Sequence, residues 1–124
     1  MTIFEATQLS DIMGNSGFTA LVDDRVYPGS LPTDPVIPAV TYELISSPRS
    51  QTQQGAKLTR PRYRWNCWGN TYDESIAVAQ ALMKALAGNG RWIDDEGDHR
   101  ESTTGLFRRR IESLKWIDAP EAAP

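Results

Sequence analysis

Cysteine and histidine are almost missing from this chain of 124 residues: it has one of each, Cys67 and His99. A lone cysteine rules out an intrachain disulfide and fits a reducing compartment. A lone histidine leaves any zinc site to carboxylates and Cys67. Long apolar runs are missing as well, and nothing approaches the roughly 18 residues of a membrane span. Met1 to Met13 mixes Glu5, Gln8 and Asp11 with apolar residues, so it lacks the basic start and apolar stretch of a secretory signal. These features imply a protein made and kept in the cytoplasm, with no membrane partner. Positive charge is not in excess either. With 13 basic and 16 acidic residues the net charge is −3, which gives no overall field toward nucleic acid or anionic membrane. No glycine-rich phosphate loop and no G-x-S-x-G turn occur.

What is present fits one soluble domain, since domains run to about 100–200 residues. A chain of this size buries roughly two-thirds of its unfolded surface, enough for a core without staples. Tryptophan is prominent: Trp65, Trp68, Trp92 and Trp116 are rings that fill cores or interfaces.

Thr2 and Glu5 have the spacing of a capping box, and Ile3, Ala6, Leu9, Ile12 and Met13 share one side of a helix over 3–13. Asn15–Gly17 reads as a turn, with room for one helical turn through Phe18, Leu21 and Val22. Arg25–Tyr27 is a short strand ended by Pro28. The loop 28–38 carries Pro28, Pro32, Pro35 and Pro38 and cannot join a sheet centrally. Alternation at Val40, Tyr42 and Leu44 predicts a strand over 39–46. Residues 47–59 are polar and aperiodic, a long mobile loop. A strand follows over 62–68, with Tyr63, Trp65 and Cys67 on one face and Arg62, Arg64 and Asn66 on the other. Thr71-x-x-Glu74 caps the clearest helix, about 72–87, whose Ile76, Val78, Ala79, Leu82, Met83 and Leu86 form an apolar arc.

Trp92-Ile93 begins a strand, and 94–104 reads as a polar, acidic connection. A long final strand spans 105–117 with imperfect alternation: Arg109 and Ser113 share a face with Phe107 and Ile111, and Arg108, Arg110 and Glu112 share the other with Leu114 and Trp116. The order α-β-β-β-α-β-β predicts an α+β fold, an antiparallel sheet flanked by two main helices. Residues 1–117 form the domain, and 118–124 a flexible tail.

Chemistry is scarce. The cluster Asp94-Asp95-Glu96-Gly97-Asp98-His99 lacks the alternating ligands and closing glutamate of a calcium loop, so it reads as a solvated acidic turn. Cys67 and His99 are the residue types of a nucleophile–base pair, but Cys67 sits mid-strand where an inert buried thiol is the norm. No catalytic residue, metal or cofactor is expected. Arg62, Arg64, Arg108 and Arg110 form a basic stripe if their strands are neighbours. The competing reading pairs them with acids such as Glu43 and Glu112 across the sheet. With a negative total charge, contacts between subunits are their favoured use over DNA binding.

An ordered set of motifs resembles the phage tail-completion proteins, also called tail terminator or tail-to-head joining proteins. It consists of Arg25-Val26-Tyr27-Pro28, Leu31-Pro32, Pro38-Ala39-Val40-Thr41-Tyr42, Asn66-Cys67-Trp68-Gly69-Asn70-Thr71-Tyr72 running into the helix, and Thr104-Gly105-Leu106-Phe107-Arg108-Arg109 with Trp116 beyond. The final strand is more basic and less regular than the family pattern. The resemblance implies a non-enzymatic virion subunit assembled in the bacterial cytoplasm. Such subunits form a ring, often a hexamer, on the head-proximal end of the tail tube. They stop tube growth and receive neck or head-completion proteins, while DNA passes through without specific binding. The family supplies no catalytic residue to carry over. A closed ring needs heterologous contacts, for which the loops 28–38 and 47–59 are available as arms. The candidate assembly interface therefore comprises Arg49, Gln53 and Lys57 from the polar loop, with Arg62, Arg64, Trp68, Arg108 and Arg110 from the strands. Competing readings are a head-completion or neck connector, and a small cytoplasmic ligand-binding domain.

Overall fold

A computed structural model describes residues 3–51 and 57–118. Two helices, α1 (Ile3–Met13) and α2 (Ser16–Val22), lead into β1 (Val26–Pro28) and β2 (Ala39–Ser46). A short pair, β3 (Arg49–Gln51) and β4 (Lys57–Thr59), precedes β5 (Arg62–Gly69) and the long helix α3 (Tyr72–Gly88). The chain closes with β6 (Trp92–Arg100), β7 (Phe107–Leu114) and β8 (Ile117–Asp118). The main sheet has the order β1-β2-β5-β7-β6, and a small sheet has the order β3-β4-β8. The fold is α+β, as the pattern of elements predicts. The sheet is mixed, however, because β1 runs parallel to β2 while the other pairs are antiparallel.

All three helices bury their apolar sides against one face of the main sheet. Phe4, Ile12, Phe18, Val22, Val78, Leu82 and Leu86 meet Val40, Tyr42, Tyr63, Trp65, Cys67 and Ile111 in one cluster. Helices α2 and α3 start where the sequence supplies an acceptor. Asn15 caps α2 by accepting from Phe18 N at 3.0 Å, which turns the expected turn at 15–17 into the helix start. Thr71 Oγ1 accepts from Glu74 N at 3.1 Å, and Glu74 answers by accepting from Asn70 N at 2.9 Å. Thr2 of the first capping box lies outside the described residues.

Between β5 and α3 the backbone passes so close that only glycine fits at position 69. A Cβ there would lie 2.5 Å from Ser75 N and 3.0 Å from Thr71 O, both backbone atoms. Gly69→Ala must displace the start of α3 and is expected to cost about 1–3 kcal/mol. Urea unfolding followed by far-UV circular dichroism measures it.

Three expectations need correction. Residues 94–100 are not a turn: they belong to β6, which pairs with β7 along its length, with a bulge between Ile93 and Asp95. Pairing makes this strand, while its side chains are mostly exposed and leave no hydrophobic alternation to read. Residues 47–59 are not one loop, since Arg49–Gln51 and Lys57–Thr59 pair with each other and β4 pairs on with β8. The final strand is not continuous to 117. It ends at Leu114, and Ile117 resumes in the small sheet with its side chain in the core. Asp118, placed in the tail by sequence, pairs with Leu58, and residues 119–124 lie outside the described residues.

Candidate assembly interface

Strand alternation sorts the sheet into two chemical faces. Register lines up Val40, Cys67 and Arg109 on the helix side, then Tyr42, Trp65 and Ile111, then Tyr63 and Ser113. This resolves the imperfect alternation of β7. Ser113 is buried because its hydroxyl accepts the Trp65 indole N–H at 3.0 Å. Arg109 lies past the core, held by Glu96 at 3.2 Å and Asp98 at 2.6 Å.

The opposite face carries Arg62, Arg64, Asn66 and Trp68 of β5 beside Leu114, Glu112, Arg110 and Arg108 of β7. Five of the eight candidate interface residues, Arg62, Arg64, Trp68, Arg108 and Arg110, are thus brought together. Arg49 and Lys57 sit apart in the small sheet, Arg49 opposite Thr59 and Lys57 opposite Gln51, and Gln53 lies outside the described residues.

The stripe is not left positive. Glu112, only 8% exposed, receives Arg62 at 3.1 Å, Arg64 at 3.5 Å and Arg110 at 2.5 Å. Arg62 also reaches Asp94 at 2.6 Å, Arg64 reaches Glu43 at 3.7 Å, and Arg110 reaches Asp95 at 2.8 Å. The reading that pairs these arginines with Glu43 and Glu112 across the sheet is the one realised. Asp94 and Asp95 are partners that the sequence hides, because their acidic run reads as a turn. Arg110 can lie across β6 because Gly97 opposite it has no side chain: a Cβ there would sit 2.7 Å from Arg110 Nη2.

The Arg110 guanidinium, by hydrogen bond first and charge second, holds the Asp95 carboxyl below its ordinary 3.8. A depressed folded value means the pair stabilises the protein fully above the unfolded pKa. That contribution fades as pH falls through the folded value. In a carboxyl NMR titration Asp95 should titrate below an ordinary aspartate, and Arg110→Gln should move its midpoint up toward 3.8. An unchanged midpoint in the variant would remove the pair from the ladder.

Trp68 ends the ladder, its indole N–H donating to Thr41 Oγ1 at 3.0 Å, with the Arg108 guanidinium 5.8 Å from its ring centre. The proline-rich loop runs past this end. Gly29, Leu31, Pro32 and Pro35 border a groove of about 480 Å³ with Thr41, Asn66, Trp68 and Arg108.

The two residues considered for nucleophilic chemistry do not meet. Cys67 points into the core opposite Arg109, while His99 stands opposite Arg108 on the other face. Burial pushes the Cys67 thiol far up, against a smaller opposing effect of Arg109. Among the described residues no three His, Cys, Asp or Glu side chains gather as a metal site.

Sequence reasoning missed Arg91 altogether. It is 3% exposed beneath α1, where its guanidinium donates to Gln8 Oε1 at 3.2 Å and Asp11 Oδ2 at 2.9 Å and lies 5.2 Å from the Phe4 ring centre. Gln8 and Asp11, three apart on one helix, were the available signal.

The main sheet thus carries helices on one face and a charge-balanced polar ladder on the other. The chain belongs to the family described as tail completion protein gp17, whose profile it matches over residues 9–118. No curated protein sequence matches it significantly. Among solved structures it is similar to a chain in the virion of a native gene transfer agent particle. The TM-score is 0.78 at 13% identity, over 95% of this chain and 92% of that one. At such identity the likeness shows the shared fold. Family membership makes this a phage structural protein of tail completion, located in the virion tail.

Proposed function

We propose that the protein caps the head-proximal end of a phage tail tube as a closed ring and acts there by contact alone, without chemistry of its own: it ends tube polymerisation and gives neck or head-completion proteins a surface to join. The family match over residues 9–118 carries this reading. Residues 1–117 act as one assembly domain without enzymatic activity, and six copies form the ring on the tube. The balanced ladder supports a lumen through which DNA passes without specific grip, since Arg62, Arg64 and Arg110 are already engaged by Glu112, Glu43, Asp94 and Asp95. Assembly takes place in the host bacterial cytoplasm.

Electron microscopy of lysates from the parent phage with this gene disrupted tests the proposal. Filled heads beside unattached, abnormally long tails are expected, and restored protein should cap and join them. Headless tails of normal length would move the protein to the neck. An unaltered virion would remove the capping role.

A further inference from the structure

Trp92 and Trp116 are 74% and 51% exposed, although large aromatic rings normally find cover. With Leu114, Arg60 and Lys115 they wall an open groove of about 400 Å³. The Arg60 guanidinium lies 5.3 Å from the Trp116 ring centre. Among the described residues neither Arg60 nor Lys115 has a carboxylate partner, whereas Asp94 in the same groove is held by Arg62. The groove thus presents two exposed indoles and two cations that no carboxylate among the described residues holds.

The complementary surface lies at the other end of the same sheet. Leu114 marks the groove end of β7, and Arg108, beside the proline-rich loop, lies six residues back, about 20 Å at roughly 3.3 Å per residue. In that loop Pro32, Thr33 and Asp34 are exposed, as is Val36 at 63%. Asp34 is the only charged residue between Gly29 and Pro38.

We propose that the proline-rich loop of one copy docks in the tryptophan groove of the next, with Pro32, Pro35 and Val36 on the indoles and Asp34 on Arg60 and Lys115. This names the subunit contact of the ring proposed above and rests on that reading. Proline segments suit aromatic-lined grooves because their backbone is already restricted and little is lost on docking. Opposite charge aligns the two surfaces. Their separation along one sheet makes the contact head-to-tail, the kind that closes rings. A groove-to-groove contact would instead set Arg60 and Lys115 against their own copies.

The test uses full-length protein, concentrated alone and added to tails that lack it. An equal mixture of Val36→Cys and Lys115→Cys, treated with a short bis-maleimide, should give a mixed crosslink absent from either variant alone. Buried Cys67 leaves wild type unreactive as the control. Asp34→Lys should lower tail completion about tenfold or more, and Trp92→Ala similarly, both without change in far-UV circular dichroism. Adding Arg60→Glu and Lys115→Glu to Asp34→Lys should restore completion. No mixed crosslink in either preparation overturns the contact, as does wild-type completion by Asp34→Lys. If wild-type protein itself fails to complete tails, the capping role falls, and the crosslink in concentrated protein still decides the contact.

Discussion

Trp65→Ala is expected to remove about 3–5 kcal/mol of stability. The ring has no exposed surface, packs 5.4 Å from Tyr42 and 6.2 Å from Tyr63 between ring centres, and anchors Ser113 through its N–H. Truncation leaves a cavity where helices and sheet meet, and the Ser113 hydroxyl loses its buried donor. Against a total of about 5–15 kcal/mol for an ordinary domain, such a loss leaves a protein that barely folds. Trp65→Phe separates the contributions: it keeps a ring but not the N–H, and should cost about 1–3 kcal/mol. Urea unfolding by far-UV circular dichroism reads both. A loss under about 1 kcal/mol for the alanine variant would contradict the packing of this core.

The second large effect is expected at Glu112. Removing one partner of a buried ion pair costs about 3–5 kcal/mol, because the remaining charge stays desolvated and unpaired. Here three arginines lose their shared acceptor, but their side chains are 23%, 36% and 29% exposed, so water screens part of the loss. Glu112→Ala should therefore cost about 2–3 kcal/mol. Glu112→Gln keeps the shape and an acceptor and should cost less. The substitution also leaves the stripe of Arg62, Arg64, Arg108 and Arg110 with a surplus of positive charge. The variant should bind heparin more tightly than wild type, with the difference shrinking as salt rises. Equal elution would mean that this acid does not hold the stripe neutral.

How much was legible follows from what each element depends on. Helix α3 and strands β2 and β5 announce themselves through caps and periodicity, since burial on one face writes a pattern into the chain. Strand β6 writes none: it is held by backbone pairing to β7 and by arginines of β5 and β7, so its acids looked like a solvated turn. Short β3, β4 and β8 exist because they pair with one another, a long-range condition that local composition cannot express. The same holds for the ladder. Its arginines were visible as a stripe, and Glu43 and Glu112 as partners, but Asp94 and Asp95 came into reach only through the β6–β7 register. Arg91 shows the limit from the other side, because a buried arginine depends on Gln8 and Asp11, 83 and 80 residues earlier in the chain.

Strand β6 has a further consequence. Among the described residues it is the outer strand of its sheet, nine residues long, and no strand pairs with its far side. Edges of that length can recruit copies into open-ended fibres. Asp94, Asp95, Glu96 and Asp98 stud this edge, and each is tied to an arginine of its own subunit. Two such edges brought together would confront carboxylate with carboxylate, while their own cations stay behind in their own sheets. A tail-completion protein thereby carries, on its own margin, a barrier to growing without end itself.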